Sequence, residues 1–165
     1  MVRHRWCQGV RVTLDPVLTQ ARSREVRSVV DTVVEWAAER AEVRGVLVVG
    51  SWARGTARMD SDVDVVVLTG NVHYSAAGVW TGLLGGEMVR SAEWGPLREI
   101  RVRRPSGLVV EIGVTPVSWA DTDPVDAGTH RVIDDGHRVV HDPAGVLARL
   151  SAACEPERRY PGLRP

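Results

Sequence analysis

The segment Gly50-Ser51-Trp52-Ala53-Arg54-Gly55, followed by Ser61-Asp62-Val63-Asp64-Val65-Val66-Val67, decides the fold. The apolar run Val46 to Val49 precedes the first piece and indicates a short strand buried on both faces. Gly50-Ser51 ends that strand, and a helical turn is expected from Trp52. The second piece enters another apolar run, which predicts a strand from Asp62 to Leu68. The expected order is therefore strand, glycine turn, short helix, loop and strand.

The Gly50-Ser51 turn is a candidate phosphate site. A strand that opens into a helix exposes backbone N–H groups at the helix start, where an anion is favoured. Glycine allows close approach, and the serine hydroxyl can also donate a hydrogen bond. The chain contains no Lys, so positive charge near a phosphate has to come from Arg, and Arg54 follows the turn closely. Taken alone, a Gly-Ser turn after a strand is more often a simple chain reversal than a binding site.

Asp62 and Asp64 are candidate metal ligands. They lie two residues apart on an expected strand, so their carboxylates project from the same face. Aspartates at the start of a strand are commonly solvated loop ends. Asp64 is different because it lies between Val63 and Val65, where a carboxylate is costly unless it is paired or bound to a cation. We therefore predict that the pair holds Mg²⁺, with two ions expected for phosphoryl chemistry.

These segments together resemble the signature of the DNA-polymerase-beta-like nucleotidyltransferase superfamily, especially its minimal bacterial members. The resemblance extends from about Val26 to Leu68. It implies an α+β fold with a mixed sheet and helices on one face. It also implies Mg²⁺-dependent NTP binding and a third carboxylate on a later strand. By this resemblance, the expected nucleotide-binding residues are Gly50, Ser51, Arg54 and Ser61.

Glu111 is the predicted third carboxylate, chosen from Glu87, Glu93, Glu99 and Glu111. It lies in an apolar strand in which consecutive side chains point to opposite faces, so the side chain of Glu111 shares a face with Val109 and Gly113. Gly113 has no side chain and is expected to leave room beside Glu111. Glu99 has Arg neighbours and is expected to be solvated or ion-paired. The predicted catalytic and metal-binding set is therefore Asp62, Asp64 and Glu111. The resemblance implies that Glu111 acts as the base for the acceptor hydroxyl.

A hairpin register follows from the three-residue loop Pro105-Ser106-Gly107. Such a loop places Arg104 opposite Leu108 and therefore Arg101 opposite Glu111. A slip of one residue would place an apolar side chain against Glu111, which disfavours that alternative. We predict that Arg101 helps to keep Glu111 ionised.

The 165 residues predict one globular domain, and the resemblance implies that residues 15–150 form a nucleotidyltransferase domain. Residues 1–14 are interpreted as an arm or edge strand, and residues 151–165 as a frayed tail. One amphipathic helix is expected from Asp15-Pro16 to Val43, and a weak helix within residues 72–86. Three further strands are expected at Glu87 to Glu93, Leu97 to Arg104 and Leu108 to Thr115, followed by a hairpin at Asp134-Asp135-Gly136 and a helix from Pro143 to Leu150.

Composition narrows the function classes. The 21 basic and 21 acidic residues balance, which argues against a general nucleic-acid binder. Cys7 and Cys154 have no metal-like or redox-like spacing and are expected to be free thiols, so we expect a cytoplasmic location without membrane insertion. Trp52 and Trp94 are expected to pack in the core, with stacking on a base or an acceptor as the alternative.

Two functions remain open from the sequence. The first is an enzyme that moves an NMP from an NTP, with ATP expected, to a hydroxyl of a small molecule or a partner protein. The second is a regulatory or antitoxin-like NTP-binding domain with little small-molecule activity. The presence of all three carboxylates favours the enzyme. A homodimer or a partner protein could supply the wall that encloses the acceptor.

Overall fold

The computed structural model describes residues 18–155, which form a six-stranded sheet and five α-helices. The strands are β1 (Val43–Val49), β2 (Val63–Thr69), β3 (Glu87–Trp94), β4 (Leu97–Arg103), β5 (Val109–Thr115) and β6 (His137–His141). The helices are α1 (Gln20–Ala38), α2 (Gly50–Arg54), α3 (Ala77–Leu84), α4 (Ala127–Asp134) and α5 (Val146–Cys154). Short 3₁₀ helices occupy Val72–Ser75 and Val117–Ala120.

The sheet is mixed, with the strand order β3-β4-β5-β2-β1-β6. Strands β2 and β5 run parallel, and each other neighbouring pair in this sheet is antiparallel. The chain therefore has the α+β class and the mixed sheet that the sequence predicts. The parallel pair lies at the centre, where β2 is buried along almost its whole length.

The β4–β5 hairpin has the predicted register. Arg101 lies opposite Glu111, Ile100 opposite Ile112 and Val102 opposite Val110. The backbone N–H of Arg104 donates to the carbonyl of Leu108 over 2.8 Å, which closes the three-residue loop. Gly107 has the left-handed φ of 81° that such a loop requires. The alternation of apolar and polar residues was sufficient to select this pairing.

Helices cover both faces of the sheet, which differs from the expectation of one covered face. Helices α1 and α3 pack on the face that includes Val65 and Val67. Helices α4 and α5 pack on the opposite face with Val66 and Leu68. Because consecutive residues of β2 point to opposite faces and nearly all are apolar, each face needs its own cover.

Helix α1 is shorter than predicted at its C-terminal end. It begins at Gln20 after Thr19, whose side chain accepts a hydrogen bond from the N–H of Arg22, and it ends at Ala38. Val43 belongs to β1 rather than to the helix. The apolar residues Val26, Val29, Val30, Val33 and Ala37 of this helix are buried, as its amphipathic pattern predicts, whereas Ala41 lies beyond the helix and is exposed. The expected start at Asp15-Pro16 and the arm over residues 1–14 lie outside the described residues.

The C-terminal part differs most from the prediction. Asp134 ends α4, so the hairpin expected at Asp134-Asp135-Gly136 is wrong, and β6 pairs with β1 instead. Helix α5 begins at Val146 and continues to Cys154, so residues 151–154 are helical rather than part of a tail. Leu150 and Cys154 are buried, which explains why the helix extends that far. No helix within residues 18–155 is both long and apolar enough to span a membrane.

Candidate active site

Asp64 and Glu111 lie directly opposite each other in the parallel β2–β5 pair. Neighbouring strands are about 5 Å apart, so the register brings the two carboxylates onto the same face as neighbours. Asp62 immediately precedes β2. The parallel pairing thus unites residues that are almost 50 positions apart in the chain, on the face that α4 and α5 cover.

The side chain of Asp64 is a partly buried carboxylate. Burial, followed by the negative charges of Glu111 and Asp62, raises its pKa to about 7. Its side chain makes no hydrogen bond or ion pair with any residue in the range 18–155. An ionised, partly buried carboxylate beside two others is unfavourable without positive charge. The environment of Asp64 is therefore consistent with the predicted role of this residue as a metal ligand.

Arg101 contacts three carboxylates that come from three different segments. Its Nη2 lies 2.5 Å from Oε2 of Glu111, and its Nη1 lies 3.3 Å from Oδ2 of Asp62. Its Nε donates to Oε1 of Glu99 over 3.0 Å. The guanidinium is planar and has five donors, which suits this bridging role. Arg101 thus connects β4 to both sides of the predicted metal site.

Glu111 has a raised pKa despite its contact with Arg101. Burial is the largest cause and the negative charge of Glu99 is the next, while Arg101 acts in the opposite direction. The prediction that Arg101 favours the ionised form is therefore correct for its own effect. The net pKa is nevertheless raised, because burial and the negative charge of Glu99 outweigh the effect of Arg101.

Glu99 is ion-paired, as the sequence suggested, but it is also buried, with 4% of its surface exposed. Its Oε2 accepts a hydrogen bond of 2.7 Å from the indole N–H of Trp94, and Nε of Arg90 lies 3.6 Å from Oε1. Trp94 itself is exposed, so the expected core packing is wrong for this tryptophan. Trp52 does pack against the core on the α1 face.

Gly50 places the Gly50-Ser51 turn, the candidate phosphate site, against the carboxylate of Asp64. It has a left-handed φ of 68°, and a Cβ added there would overlap Oδ2 of Asp64. Glycine is thus required both by the backbone and by the neighbouring side chain. Gly50 is also the first residue of α2, whose first-turn N–H groups have no intrahelical acceptors. The carbonyl of Ser51 accepts from the N–H groups of Gly55 and Thr56, which closes this short helix.

Arg54 and Ser61 have structural contacts in this conformation. The guanidinium of Arg54 pairs with the side chain of Asp135 and donates to its backbone carbonyl over 3.1 Å. The hydroxyl of Ser61 accepts from the N–H of Arg58 over 2.9 Å, which braces the loop before Asp62. The structure therefore brings together Gly50, Asp64 and Glu111, and it joins Asp62 through Arg101. It holds Arg54 at the turn between α4 and β6.

The carboxylates fit a hard divalent cation by their chemistry, since Mg²⁺ prefers oxygen ligands. Within residues 18–155, no group of three or more His, Cys, Asp or Glu side chains is already gathered closely enough to form a metal site. Asp62 and Glu111 instead contact Arg101, and Asp64 has no partner among those residues. Arg101 thus competes with a cation for two of the three carboxylates.

The sequence of this chain matches a known domain family over a region that contains the candidate site. Residues 30–111, about half of the chain, match the nucleotidyltransferase domain family. The chain belongs to this family. The matched region of the nucleotidyltransferase domain begins within α1 and ends at Glu111, so it includes every predicted site residue. A search of curated proteins gives no significant match.

Comparison with solved structures finds partial overlaps. A cytoplasmic RNA terminal U-transferase is 17% identical, with a TM-score of 0.48, and the match covers 72% of this chain and 34% of that one. The Cid1 poly(U) polymerase is 17% identical, with a TM-score of 0.46 and coverages of 71% and 35%. The GLD-2/RNP-8 complex contains a chain that is 14% identical, with a TM-score of 0.39 and coverages of 72% and 38%. This nucleotidyltransferase domain therefore spans about a third of the length of these proteins, which is too limited an overlap to transfer a substrate.

The contacts of Glu99 were missed at the level of sequence, although a signal for them was present. Leu97, Glu99 and Arg101 alternate along β4, so they share a face, and the register places Glu99 opposite Gly113. Gly113 carries no side chain, and Leu97 occupies the space beside it, with Cδ1 3.0 Å from the position of an added Cβ. The room expected beside Glu111 is therefore filled from β4.

Proposed function

We propose that this nucleotidyltransferase domain transfers an NMP from an NTP, with ATP as the expected donor, to an acceptor hydroxyl. The observation that carries the proposal is the placement of Asp64 opposite Glu111 and against Gly50. Two carboxylates and the Gly50-Ser51 turn therefore lie next to one another. The raised pKa of Asp64 supports a role in binding a cation.

In this proposal, Asp62 and Asp64 hold Mg²⁺ with the help of Glu111, and two ions are expected. When bound, Mg²⁺ would neutralise phosphate charge and polarise the phosphorus–oxygen bonds. The N–H groups at Gly50 and Ser51 would bind phosphate oxygens. Arg54 would assist by exchanging Asp135 for a phosphate, and Ser61 would position the loop that carries Asp62.

The reaction is an in-line displacement. The acceptor oxygen forms a bond to the α-phosphorus while the bond between that phosphorus and the α,β-bridging oxygen breaks, and pyrophosphate leaves. Glu111 accepts the proton of the acceptor hydroxyl. A raised pKa makes its carboxylate a stronger base near neutral pH, which suits this role.

A regulatory or antitoxin-like NTP-binding domain is the second candidate. Arg101 supports it, because its contacts with Asp62 and Glu111 already neutralise part of the site without a metal ion. The proposed acceptor is a small molecule or a partner protein. A homodimer, or the partner protein, is proposed to supply the wall that encloses it. A cytoplasmic location is also part of the proposal, and the free thiol of Cys154 supports it.

Mass measurement of the products tests these functions. The full chain is incubated with Mg²⁺ and each of ATP, GTP, CTP and UTP, with and without small alcohols and candidate protein acceptors. We expect an acceptor whose mass rises by one nucleotide residue, together with pyrophosphate, and no product with EDTA or with Asp64→Asn. Tight Mg²⁺–NTP binding without transfer to any acceptor would support the regulatory domain instead.

A further inference from the structure

A cavity of about 450 Å³ lies on the same face of the sheet as the carboxylates. It is formed by the turn between β3 and β4, the 3₁₀ helix Val117–Ala120 and helix α4. Its size is in the range of small-molecule sites, which are typically concave and lined by apolar and aromatic side chains. The residues that line it and matter here are Trp94, Pro96, Leu97, Trp119, Thr129 and Val132.

The cavity begins close to Glu111. Its wall residue Leu97 packs over Gly113, with Cδ1 3.0 Å from the position of an added Cβ. Gly113 lies two residues from Glu111 on the same strand and the same face. Two residues of a strand span about 7 Å. The side chain of Leu97, which fills the space over Gly113, therefore stands between the cavity and Glu111.

The cavity and the phosphate turn lie on opposite sides of the Asp64–Glu111 pair. Gly50 follows β1 and contacts Asp64, whereas Leu97 lies on β4, beyond β5 in the sheet. In-line displacement requires the attacking hydroxyl and the leaving pyrophosphate on opposite sides of the phosphorus. With phosphates at Gly50, the cavity lies on the side of the Asp64–Glu111 pair away from the leaving group, which is compatible with in-line attack.

Trp94 offers a stacking surface at the mouth of this cavity. Trp94 is 59% exposed as a residue, which is unusual for so large an apolar side chain. The guanidinium of Arg90 lies over one face of the ring, 6.0 Å from its centroid, so the other face is the one offered to a ligand. The indole N–H donates to the buried Glu99 over 2.7 Å, so the ring is held in a defined orientation. Exposure of a fixed aromatic face is typical of binding sites for flat ligands.

We propose that this cavity binds the acceptor, and that the acceptor is a small hydroxyl compound with a flat, apolar ring that stacks on Trp94. The inference rests on the proposed function, because it assigns the acceptor side of that reaction. A concave site of this volume suits a small molecule better than a protein surface. The nucleoside base of the NTP is the competing occupant, and the second experiment separates the two.

The first experiment measures binding without turnover. Tyrosol, which carries an aromatic ring and a primary hydroxyl, is titrated into the full ¹⁵N-labelled chain, and glycerol serves as the probe without a ring. We expect tyrosol to shift the indole N–H signals of Trp94 and Trp119 and to leave that of the core residue Trp36 unchanged. Equal shifts with glycerol, or shifts confined to Trp36, would overturn the proposal.

The second experiment compares Trp94→Ala with Met88→Ala in nucleotidyl transfer from Mg²⁺–ATP to tyrosol. Met88 serves as the control. It is also exposed on β3, but it pairs with Val102, whose side chain lies on the face of the sheet opposite to the cavity. Loss of ring stacking is expected to raise the KM for tyrosol about tenfold and to leave the KM for ATP unchanged. Trp94→Phe, which keeps a ring but not the N–H, should recover most of that affinity.

The outcomes distinguish failure of the proposed acceptor site from failure of the proposed function. A rise in the KM for ATP in Trp94→Ala would assign the cavity to the nucleoside base and refute the acceptor site. Transfer to other hydroxyl compounds without any tyrosol contact at Trp94 would refute the acceptor site and leave the proposed function intact. Tyrosol binding at Trp94 without transfer to tyrosol or to any other hydroxyl compound would refute both the enzyme and the acceptor role.

Discussion

Asp64 and Glu111 are direct neighbours across the parallel β2–β5 pair, so the central strands hold two partly buried carboxylates side by side. Burial is the largest cause of the raised pKa of both groups; the negative charge of Glu111 adds to it at Asp64, and the negative charge of Glu99 adds to it at Glu111. Two ionised carboxylates here are unfavourable for the protein alone, and the proposed function predicts that a divalent cation relieves this cost. The electrostatic consequences of this arrangement can be measured without knowing the acceptor.

Replacing Asp64 with Asn should stabilise the metal-free protein at high pH. The pKa of Asp64 is about 7 in the folded state against 3.8 ordinarily, so the folded state retains a proton that the unfolded chain loses between these values. Stability of the wild type therefore falls as pH rises through this window. The difference in unfolding free energy between Asp64→Asn and wild type should be near zero at pH 4 and largest above pH 7, as measured by urea denaturation in EDTA.

The exposed residue Asp31 provides the control, since Asp31→Asn should not show this pH dependence. Addition of Mg²⁺ at pH 8 should raise the stability of wild type and leave Asp64→Asn nearly unchanged. The same variant should lose most of its affinity for Mg²⁺–ATP in calorimetry. Unchanged nucleotide affinity would refute the role of Asp64 as a metal ligand.

Replacing Glu111 with Gln should lower turnover by roughly a hundredfold or more while leaving nucleotide affinity close to wild type. The melting temperature should also change little. The raised pKa shows that the ionised form of Glu111 is disfavoured, and Arg101 retains Asp62 and Glu99 as partners. Glu93→Gln, on the exposed strand β3, is the matched control. Normal turnover in the Glu111→Gln variant would require another base.

Replacing Gly50 with Ala should destabilise the protein and disrupt the site together. The substitution combines a left-handed backbone with overlap of the new Cβ and the Asp64 carboxylate, for roughly 2–4 kcal/mol. Gly55→Ala shares the positive φ but has open space, so about 1 kcal/mol is expected. Gly70→Ala has neither feature and should stay within about 0.5 kcal/mol. Equal losses for Gly50 and Gly55 in urea denaturation would mean that the contact with Asp64 has no energetic effect.

Replacing Arg101 with Gln should lower the unfolding free energy by roughly 2–3 kcal/mol near neutral pH, because the buried Glu99 loses its nearest cation. The loss should shrink as pH falls and the carboxylates become protonated. Arg90→Gln removes a longer and half-exposed contact with Glu99 and should cost less than about 1 kcal/mol. A loss for Arg101→Gln that does not vary with pH would contradict an electrostatic origin.

Local sequence patterns were sufficient to predict the central strands of the sheet and the pairing of Arg101 with Glu111. Alternation along β4 and β5, with a three-residue loop between them, specified that Arg101 lies opposite Glu111. Asp64 could be singled out because a carboxylate inside a run of valines needs a reason. Both inferences rest on period and spacing, which are properties of the sequence itself.

Long-range packing could not be inferred in the same way. The pairing of β6 with β1 joins segments about 90 residues apart, and no local pattern specifies that partner. The contact between Arg54 and Asp135 depends on that pairing and was missed with it. The burial of Glu99 likewise follows from Trp94 and Arg101 closing over it, which requires three-dimensional neighbours rather than composition.

If the cavity binds a ligand, the contact path from Trp94 through Glu99 and Arg101 to Glu111 offers a route by which its occupancy would be coupled to protonation. A ligand that displaces the Trp94 indole removes one hydrogen bond from Glu99 and thereby alters the share of the Arg101 charge that reaches Glu111. Linkage is reciprocal, so whatever factor the ligand imposes on proton affinity at Glu111, a proton imposes on ligand affinity at the cavity. Acceptor binding and proton release would then be two readouts of a single coupling free energy.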